Sequence, residues 1–255
     1  MNFGNNFAFK QASKYYDGST YNTATVEGIG KKTLLLLSIT LVTSLLMIGI
    51  ILNNGSLPFL LYPVSIIFTV VVQIIMCFSP IKAKFLSIPY AISEGLTIGV
   101  LCGVLEIALP NQGLFIAGFA LIITICVFIV GLFLYSRGYI KVGRRFYTFL
   151  ICASVGTLIA FIVMMVTGLI LSFTGGQNIL QMFYSSPLYL LLSVFMCLIA
   201  SMYLIASIAN ADRMVQCGVD ADLEWYGAYA ITLNVIYLFI EILRLILIIV
   251  SRNRD

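Results

Sequence analysis

The sequence predicts an all-α membrane protein with seven transmembrane helices, and its composition, apolar runs and charge distribution carry that prediction. Of 255 residues, 61% are hydrophobic and only 9% are charged, with a mean hydropathy of +1.09. A soluble domain of this size carries about 25% charged residues. The apolar residues form seven long runs, and 11 of the 14 basic residues lie either in the N-terminal arm or in alternate connections between the runs. Helices follow because a backbone in lipid must satisfy its amides within its own segment.

Each apolar run can supply the ~20 residues that span ~30 Å of hydrocarbon. The predicted spans are residues 33–52, 57–78, 86–109, 113–135, 146–173, 188–208 and 227–250. Turn-forming residues separate adjacent spans, as in Asn53-Asn54-Gly55-Ser56. The chain therefore divides into a polar N-terminal arm (1–32), a seven-helix domain (33–250) and a short basic tail (251–255).

The distribution of lysine and arginine predicts a cytoplasmic N-terminus. Basic residues occupy the arm and the connections 2–3, 4–5 and 6–7, whereas the connections 1–2, 3–4 and 5–6 contain none. Arg252 and Arg254 in the tail conflict with seven crossings. Either the other basic residues outweigh them or the last run does not fully cross, and the length of that run favours a full crossing. No cleavable signal peptide is expected.

The composition excludes several function classes. The chain has no histidine, which removes histidine-assisted nucleophilic catalysis and most transition-metal sites. No aspartate lies within a predicted span, so an intramembrane aspartyl enzyme is not expected either. The basic residues form no continuous face that would bind nucleic acid. We expect neither enzymatic activity nor a cofactor, and the lipid bilayer is the first predicted partner.

The third run, LSIPYAISEGLTIGVLCGVLEIAL, contains a glutamate and a glycine repeat. Gly95, Gly99 and Gly103 share one helix face, which allows another helix to approach closely. Glu94 lies roughly 12 Å from the cytoplasmic end of the helix. A lipid-exposed carboxylate there costs roughly 2.5–3.5 kcal/mol. Glu94 should therefore face protein or water, in either a functional role or a structural hydrogen bond.

The seventh run carries a polar stripe. Asn234 and Glu241 lie seven residues apart, nearly on one line, and Tyr237 lies close to that line. Arg244 is within salt-bridge reach of Glu241. The stripe predicts either a polar seam along an ion or proton path, or a self-neutralising ion pair with Arg244 extended outward.

The connection before the seventh run concentrates acidic residues, and we expect it to be a solvated loop. Its acids are Asp212, Asp220, Asp222 and Glu224.

Four segments in order along the chain resemble the Bax inhibitor-1 family, in its bacterial YccA-like branch. They are TVEGIGKKTLLLL, IPYAISEGLTIG, LYSRGYIKVGRRF and EWYGAYAITLNVIYLFIEILRL. The resemblance implies a bundle with a central seventh helix, in a bacterial cell membrane. It also implies a passive, pH-sensitive calcium leak, with effects on membrane proteases in some relatives.

The resemblance further implies a pair of acidic gating residues, and here the chain departs from the family. Ala209 stands where relatives place the first aspartate, with Asp212 the nearest carboxylate, and Asn234 occupies the inner position of the seventh helix. Glu94 matches the family's glutamate in the EGL motif.

The first function hypothesis is a passive, pH-sensitive, calcium-permeable leak. Glu94 and Glu241 would bind calcium, and Asn234 and Tyr237 would add neutral oxygen ligands. Protonation of a buried glutamate would make the flux depend on pH. The alternative is a non-conducting regulator that binds other membrane proteins or proteases through the glycine face and the cytoplasmic loops.

Overall fold

A computed structural model describes residues 23–54, 57–140, 142–174 and 187–252, and these residues are almost entirely helical. The described α-helices are α1 (Val26–Asn54), α2 (Leu57–Phe78), α3 (Ala83–Ala108), α4 (Gly113–Ser136), α5 (Arg144–Thr174), α6 (Pro187–Gln216) and α7 (Glu224–Arg252). Short 3₁₀ helices at Pro80–Lys82 and Ala221–Leu223 precede α3 and α7. Each predicted span falls on one α-helix, with only Leu109 beyond its end, and the all-α prediction is confirmed.

Several helices extend past the predicted spans. Helix α1 begins at Val26, inside the predicted arm, and α6 continues to Gln216. Hydropathy marks only the apolar part of a helix, whereas backbone hydrogen bonds continue through its polar first and last turns. Residues 1–22 of the arm and 253–255 of the tail lie outside the described residues.

Five described segments are long and apolar enough to cross a membrane. They are Val26–Asn53, Pro80–Ala108, Gly113–Ser136, Tyr189–Gln216 and Ala221–Arg252, and Tyr62–Phe78 is a shorter apolar helix. Their outer faces carry exposed large apolar side chains such as Leu46, Ile67 and Ile122. Such faces suit contact with lipid rather than water. The protein is therefore an integral membrane protein, while the cytoplasmic position of its N-terminus remains a prediction.

The described residues form two compact units. The first unit consists of the described residues within Met1–Gly118 and Ser207–Leu233. The second unit consists of the described residues within Phe119–Ala206 and Asn234–Asp255. Helices α6 and α7 contribute residues to both. In the first unit, a buried cluster joins α2, α3 and α7 through Val72, Met76, Ala83, Tyr90 and Tyr229. In the second unit, the buried apolar residues include Leu150, Ile199, Leu204 and Leu243.

Helix α3 packs directly against α1 through its glycine face. A Cβ added to Gly95 would lie 2.6 Å from the Thr40 carbonyl oxygen, and one on Gly99 would lie 2.7 Å from that of Ser44. A Cβ on Gly103 would lie 2.7 Å from Ile51 Cδ1. These separations are too short for real carbon contacts, so glycine is what allows the two helices to approach this closely.

Helix α7 is enclosed along most of its length. Every side chain from Glu224 to Ile248 is buried or half-buried. Helix α4, by contrast, exposes many of its large apolar side chains, including Phe119, Ile122 and Ile129. The enclosure of α7 places its polar residues in a protein environment rather than in lipid.

Candidate functional site

Two glutamates within the membrane-spanning helices are buried in protein. Glu94 on α3 is 7% exposed and Glu241 on α7 is 5% exposed. Glu94 belongs to the first compact unit and Glu241 to the second. Burial of a carboxylate is unfavourable unless hydrogen bonds or a counter-charge compensate for lost hydration.

Glu94 lies beside a tyrosine hydroxyl. The Tyr90 side chain, one turn earlier on α3, interacts with the Glu94 carboxylate, and the Gln73 side chain of α2 interacts with Tyr90. The Tyr90 ring meets the Tyr229 ring of α7 edge to face, with centroids 4.8 Å apart. Three helices of the first unit therefore contribute polar or aromatic groups around Glu94.

A second row of polar groups runs between α2 and α3. Thr69 and Ser93 are hydrogen-bonded through their hydroxyls. The Ser65 and Thr97 hydroxyl oxygens lie 3.0 Å apart, and the Ser93 hydroxyl donates to the Ser65 carbonyl over 3.1 Å. This row was not predicted from the sequence. The four-residue spacing of Ser65 and Thr69 on α2, and of Ser93 and Thr97 on α3, was the available signal.

Among the described residues, Glu241 has a tyrosine and an arginine as neighbours on its own helix. Tyr237, one turn earlier on α7, interacts with the Glu241 carboxylate through its side chain. Arg244 Nη1 lies 3.6 Å from Glu241 Oε2. The structure thus brings together three of the residues that the sequence placed on the polar stripe.

Helix α6 also contacts this group. Arg244 Nε donates to the Tyr189 hydroxyl over 3.1 Å, and the guanidinium carbon lies 5.2 Å from the centre of the Tyr189 ring. Cys197 of α6 is close enough to Glu241 and Arg244 to interact with both electrostatically. Arg244 therefore bridges α7 and α6, a contact that its position in the sequence did not reveal.

The two other residues predicted for the ion path, Asn234 and Asp212, lie on α7 and α6. Asn234 is half-buried on α7, at the start of the part of that helix assigned to the second unit. Asp212 belongs to the first unit and accepts a hydrogen bond from Gln216 Nε2 at 2.9 Å, one turn on in α6.

Glu224 corrects the expectation of a uniformly solvated loop. Glu224 is only 7% exposed, and its carboxylate accepts from the Thr25 amide at 2.7 Å and from the Thr25 hydroxyl at 3.0 Å. Lys32 Nζ completes the set at 2.7 Å and lies 5.2 Å from the centre of the Trp225 ring. We call Thr25, Lys32 and Glu224 the α1–α7 clasp.

Gly28 is part of the reason why the clasp can form. A side chain on Gly28 would overlap the Glu224 carboxylate. Thr25 also caps α1, because its hydroxyl accepts from the Gly28 amide at 3.0 Å. The clasp joins two of the motifs that carry the family resemblance, TVEGIGKK and EWYGAY.

Two contacts beside the clasp reach the connection 6–7, one from Lys84 at the start of α3 and one from the chain before α1. Lys84 Nζ pairs with Asp222 at 2.9 Å, and Thr23 forms an isolated β-bridge with Asp220. The start of α1, the start of α3 and the connection 6–7 therefore lie at one end of the first unit. The distribution of basic residues predicted that they share one side of the membrane.

Glu106 has a local structural role in the connection between α3 and α4. Its two carboxylate oxygens accept from the amides of Asn111 and Leu114, each at 2.7 Å. This arrangement satisfies an amide at the start of α4.

Within the described part of the chain, no group of three or more aspartate, glutamate or cysteine side chains could hold a metal ion.

The similarity of this chain to known proteins is at the level of the family. None of the curated proteins or solved structures matches this chain. A sequence model of the family described as Bax inhibitor 1 like matches residues 4–251, nearly the whole length. This chain therefore belongs to the Bax inhibitor-1-like family of membrane proteins.

Proposed function

We propose that this protein is a passive, pH-sensitive leak for calcium ions across its membrane. The observation that carries the proposal is the presence of two buried carboxylates, Glu94 and Glu241, on membrane-spanning helices. Ionisable residues at such positions are costly and commonly mark ion or proton pathways. Family membership is compatible with the proposal and does not decide it.

The neighbours of the two glutamates support this role. Each carboxylate has a tyrosine hydroxyl one turn earlier on its own helix, Tyr90 for Glu94 and Tyr237 for Glu241. Calcium binds carboxylate and other oxygen ligands at variable coordination numbers. Loss of a proton from either glutamate would create the negative charge that attracts a cation, which makes the proposed flux dependent on pH.

The test is calcium flux into liposomes that contain the purified protein and a calcium-sensitive dye, measured across about pH 5 to 8. Glu94→Gln and Glu241→Gln should each reduce the flux or displace its pH midpoint. Glu27→Gln is the matched control, because Glu27 is exposed and pairs only with Lys31 one turn along α1 in the described structure. Absence of flux above that of empty vesicles at every pH would overturn the proposal.

The alternative, a non-conducting regulator, has less support. It assigned partner binding to the glycine face of α3 and to the cytoplasmic loops, and the glycine face is covered by α1. A substitution such as Gly99→Leu would therefore disturb the contact between α1 and α3 before it could report on a partner.

A further inference from the structure

The ion pair of Glu241 is incomplete. The 3.6 Å between Arg244 Nη1 and Glu241 Oε2 exceeds the length of a normal hydrogen bond. Oε2 is buried and has no hydrogen-bond partner among the described residues. Buried carboxylate oxygens almost always accept at least one hydrogen bond. The oxygen nearest to Arg244 therefore retains capacity for another ligand.

Tyr189 limits how far Arg244 can close this gap. Its hydroxyl accepts from Arg244 Nε at 3.1 Å, so one edge of the guanidinium is directed at α6 rather than at Glu241. The Arg244 side chain is 37% exposed, which leaves it room to move. Arg244 is thus shared between a tyrosine on α6 and a carboxylate on its own helix.

Ser193 is a second buried group without a hydrogen-bond partner in the described structure. Its hydroxyl oxygen is inaccessible to solvent, and the residue is 0% exposed. Tyr189, Ser193 and Cys197 are spaced four residues apart on α6 and share one face. Tyr189 contacts Arg244 and Cys197 interacts with Glu241. Ser193 lies between these two residues on the same face of α6.

We propose that Glu241 Oε2 and Ser193 Oγ form a binding site for a small hard cation, for which Arg244 is a tethered competitor. Carboxylate and hydroxyl oxygens are ligands that hard cations accept. The guanidinium is always charged, and it prevents the buried carboxylate from standing uncompensated when no cation is bound. An incoming cation must displace Arg244, so the arginine limits occupancy. This inference rests on the proposed leak and adds a regulatory element to it.

The proposal predicts opposite effects from two substitutions around the same arginine. Arg244→Gln removes the competitor and should tighten cation binding roughly tenfold or more. Tyr189→Phe removes the acceptor that holds Arg244 back, so the guanidinium can approach Glu241 and binding should weaken. Ser193→Ala should weaken binding without changing the charge of the site, and Glu241→Gln should abolish it.

Terbium(III), a hard cation whose luminescence is sensitised by nearby tyrosines, is the probe. The purified full-length protein in detergent is titrated with Tb³⁺ alone, and then the bound Tb³⁺ is displaced with Ca²⁺. Only the component of the signal that is lost in Glu241→Gln reports on this site. Its affinity should follow the order Arg244→Gln, wild type, Tyr189→Phe.

Two results would overturn the site. The first is a Tb³⁺ signal with no Glu241-dependent component, and the second is a change in Tb³⁺ affinity that has the same sign in Arg244→Gln and Tyr189→Phe. Tyr189→Phe keeps every charge in place, so it remains informative if Arg244→Gln fails to fold. Flux and binding distinguish the two proposals. Glu241-dependent binding without calcium flux would overturn the leak alone, whereas flux without such binding would overturn this site alone.

Discussion

Glu224 and Glu241 lie on the same helix, are both buried and each face a basic side chain, yet their surroundings differ. The Glu224 carboxylate receives the Thr25 amide, the Thr25 hydroxyl and the Lys32 ammonium, all within 3.0 Å. Glu241 faces Arg244 across 3.6 Å, and its Oε2 accepts no hydrogen bond from the described residues. One carboxylate is saturated with donors and the other is not.

Glu224 has the surroundings of a structural carboxylate, whereas Glu241 has those of a carboxylate that can bind a ligand. A buried charge with short hydrogen bonds on both oxygens stabilises the fold, and removal of the carboxylate leaves its donors unpaired. A buried charge with an open oxygen contributes less to stability and can still bind a ligand. We therefore expect Glu224 to govern stability and Glu241 to govern ion binding.

The largest effect is expected from Glu224→Ala. It leaves Lys32 and the Thr25 amide without their acceptor, and should lower the free energy of unfolding by about 3 kcal/mol. Thermal or denaturant unfolding in detergent can be followed through Trp225, the single tryptophan of the chain. Glu27→Ala is the control, because the Glu27–Lys31 pair is exposed and should change stability little. Equal destabilisation by both would refute the distinction between buried and exposed pairs.

Gly28→Ala should be the next most damaging change, because the new methyl group would displace the Glu224 carboxylate. We expect a cost of about 1–3 kcal/mol. Gly30 lies two residues further along α1 and has nothing within 4 Å of an added Cβ. Gly30→Ala should be neutral or stabilising by up to about 1 kcal/mol, since alanine favours helix. The same unfolding measurement applies, and destabilisation by both would argue against a specific contact at Gly28.

Glu241→Gln should change stability by no more than about 1 kcal/mol, because glutamine keeps the shape of an incompletely paired group. Glu241→Gln should instead have a large effect on calcium flux, as a reduced flux or a displaced pH midpoint. Glu224→Gln is the matched variant on the same helix, with the reverse pattern of lower stability and retained flux per folded molecule. If the two glutamine variants lose stability and flux in parallel, the contrast between the carboxylates does not hold.

The smallest effect is expected from Lys84→Gln. Its pair with Asp222 is about half exposed on both sides, so its loss should cost about 0.5 kcal/mol or less. Added salt screens such pairs, so the difference from wild type should shrink as ionic strength rises. A cost comparable to that of Glu224→Ala would show that the whole connection, rather than the α1–α7 clasp, holds α7 to α1.

The regular features of the fold were predictable because they repeat locally. Apolar runs located the seven α-helices of the described residues. The polar end turns of these helices were missed because hydropathy does not detect them. The spacing of Gly95, Gly99 and Gly103 indicated a close helix contact, and the structure identifies α1 as the neighbour. The family resemblance is confirmed by the match over residues 4–251, while the YccA-like branch remains a prediction.

The site was predictable only where its residues share a helix. Tyr237, Glu241 and Arg244 lie within two turns, so their spacing was sufficient to group them. Ser193 resembles any small residue in an apolar run, and only the structure shows that its hydroxyl is buried without a hydrogen-bond partner among the described residues. Glu224 was misassigned to a solvated loop because its partners, Thr25 and Lys32, lie 199 and 192 residues away in the chain.

The sequence by itself determined the membrane class, the order of the helices and the polar stripe of α7, because each follows from composition or from a period of one helical turn. Only the tertiary structure decided which carboxylates have their charge balanced. That balance depends on distances of about 3 Å between groups far apart in the chain. Lys32 closes on Glu224, and Tyr189 holds Arg244 away from a full contact with Glu241.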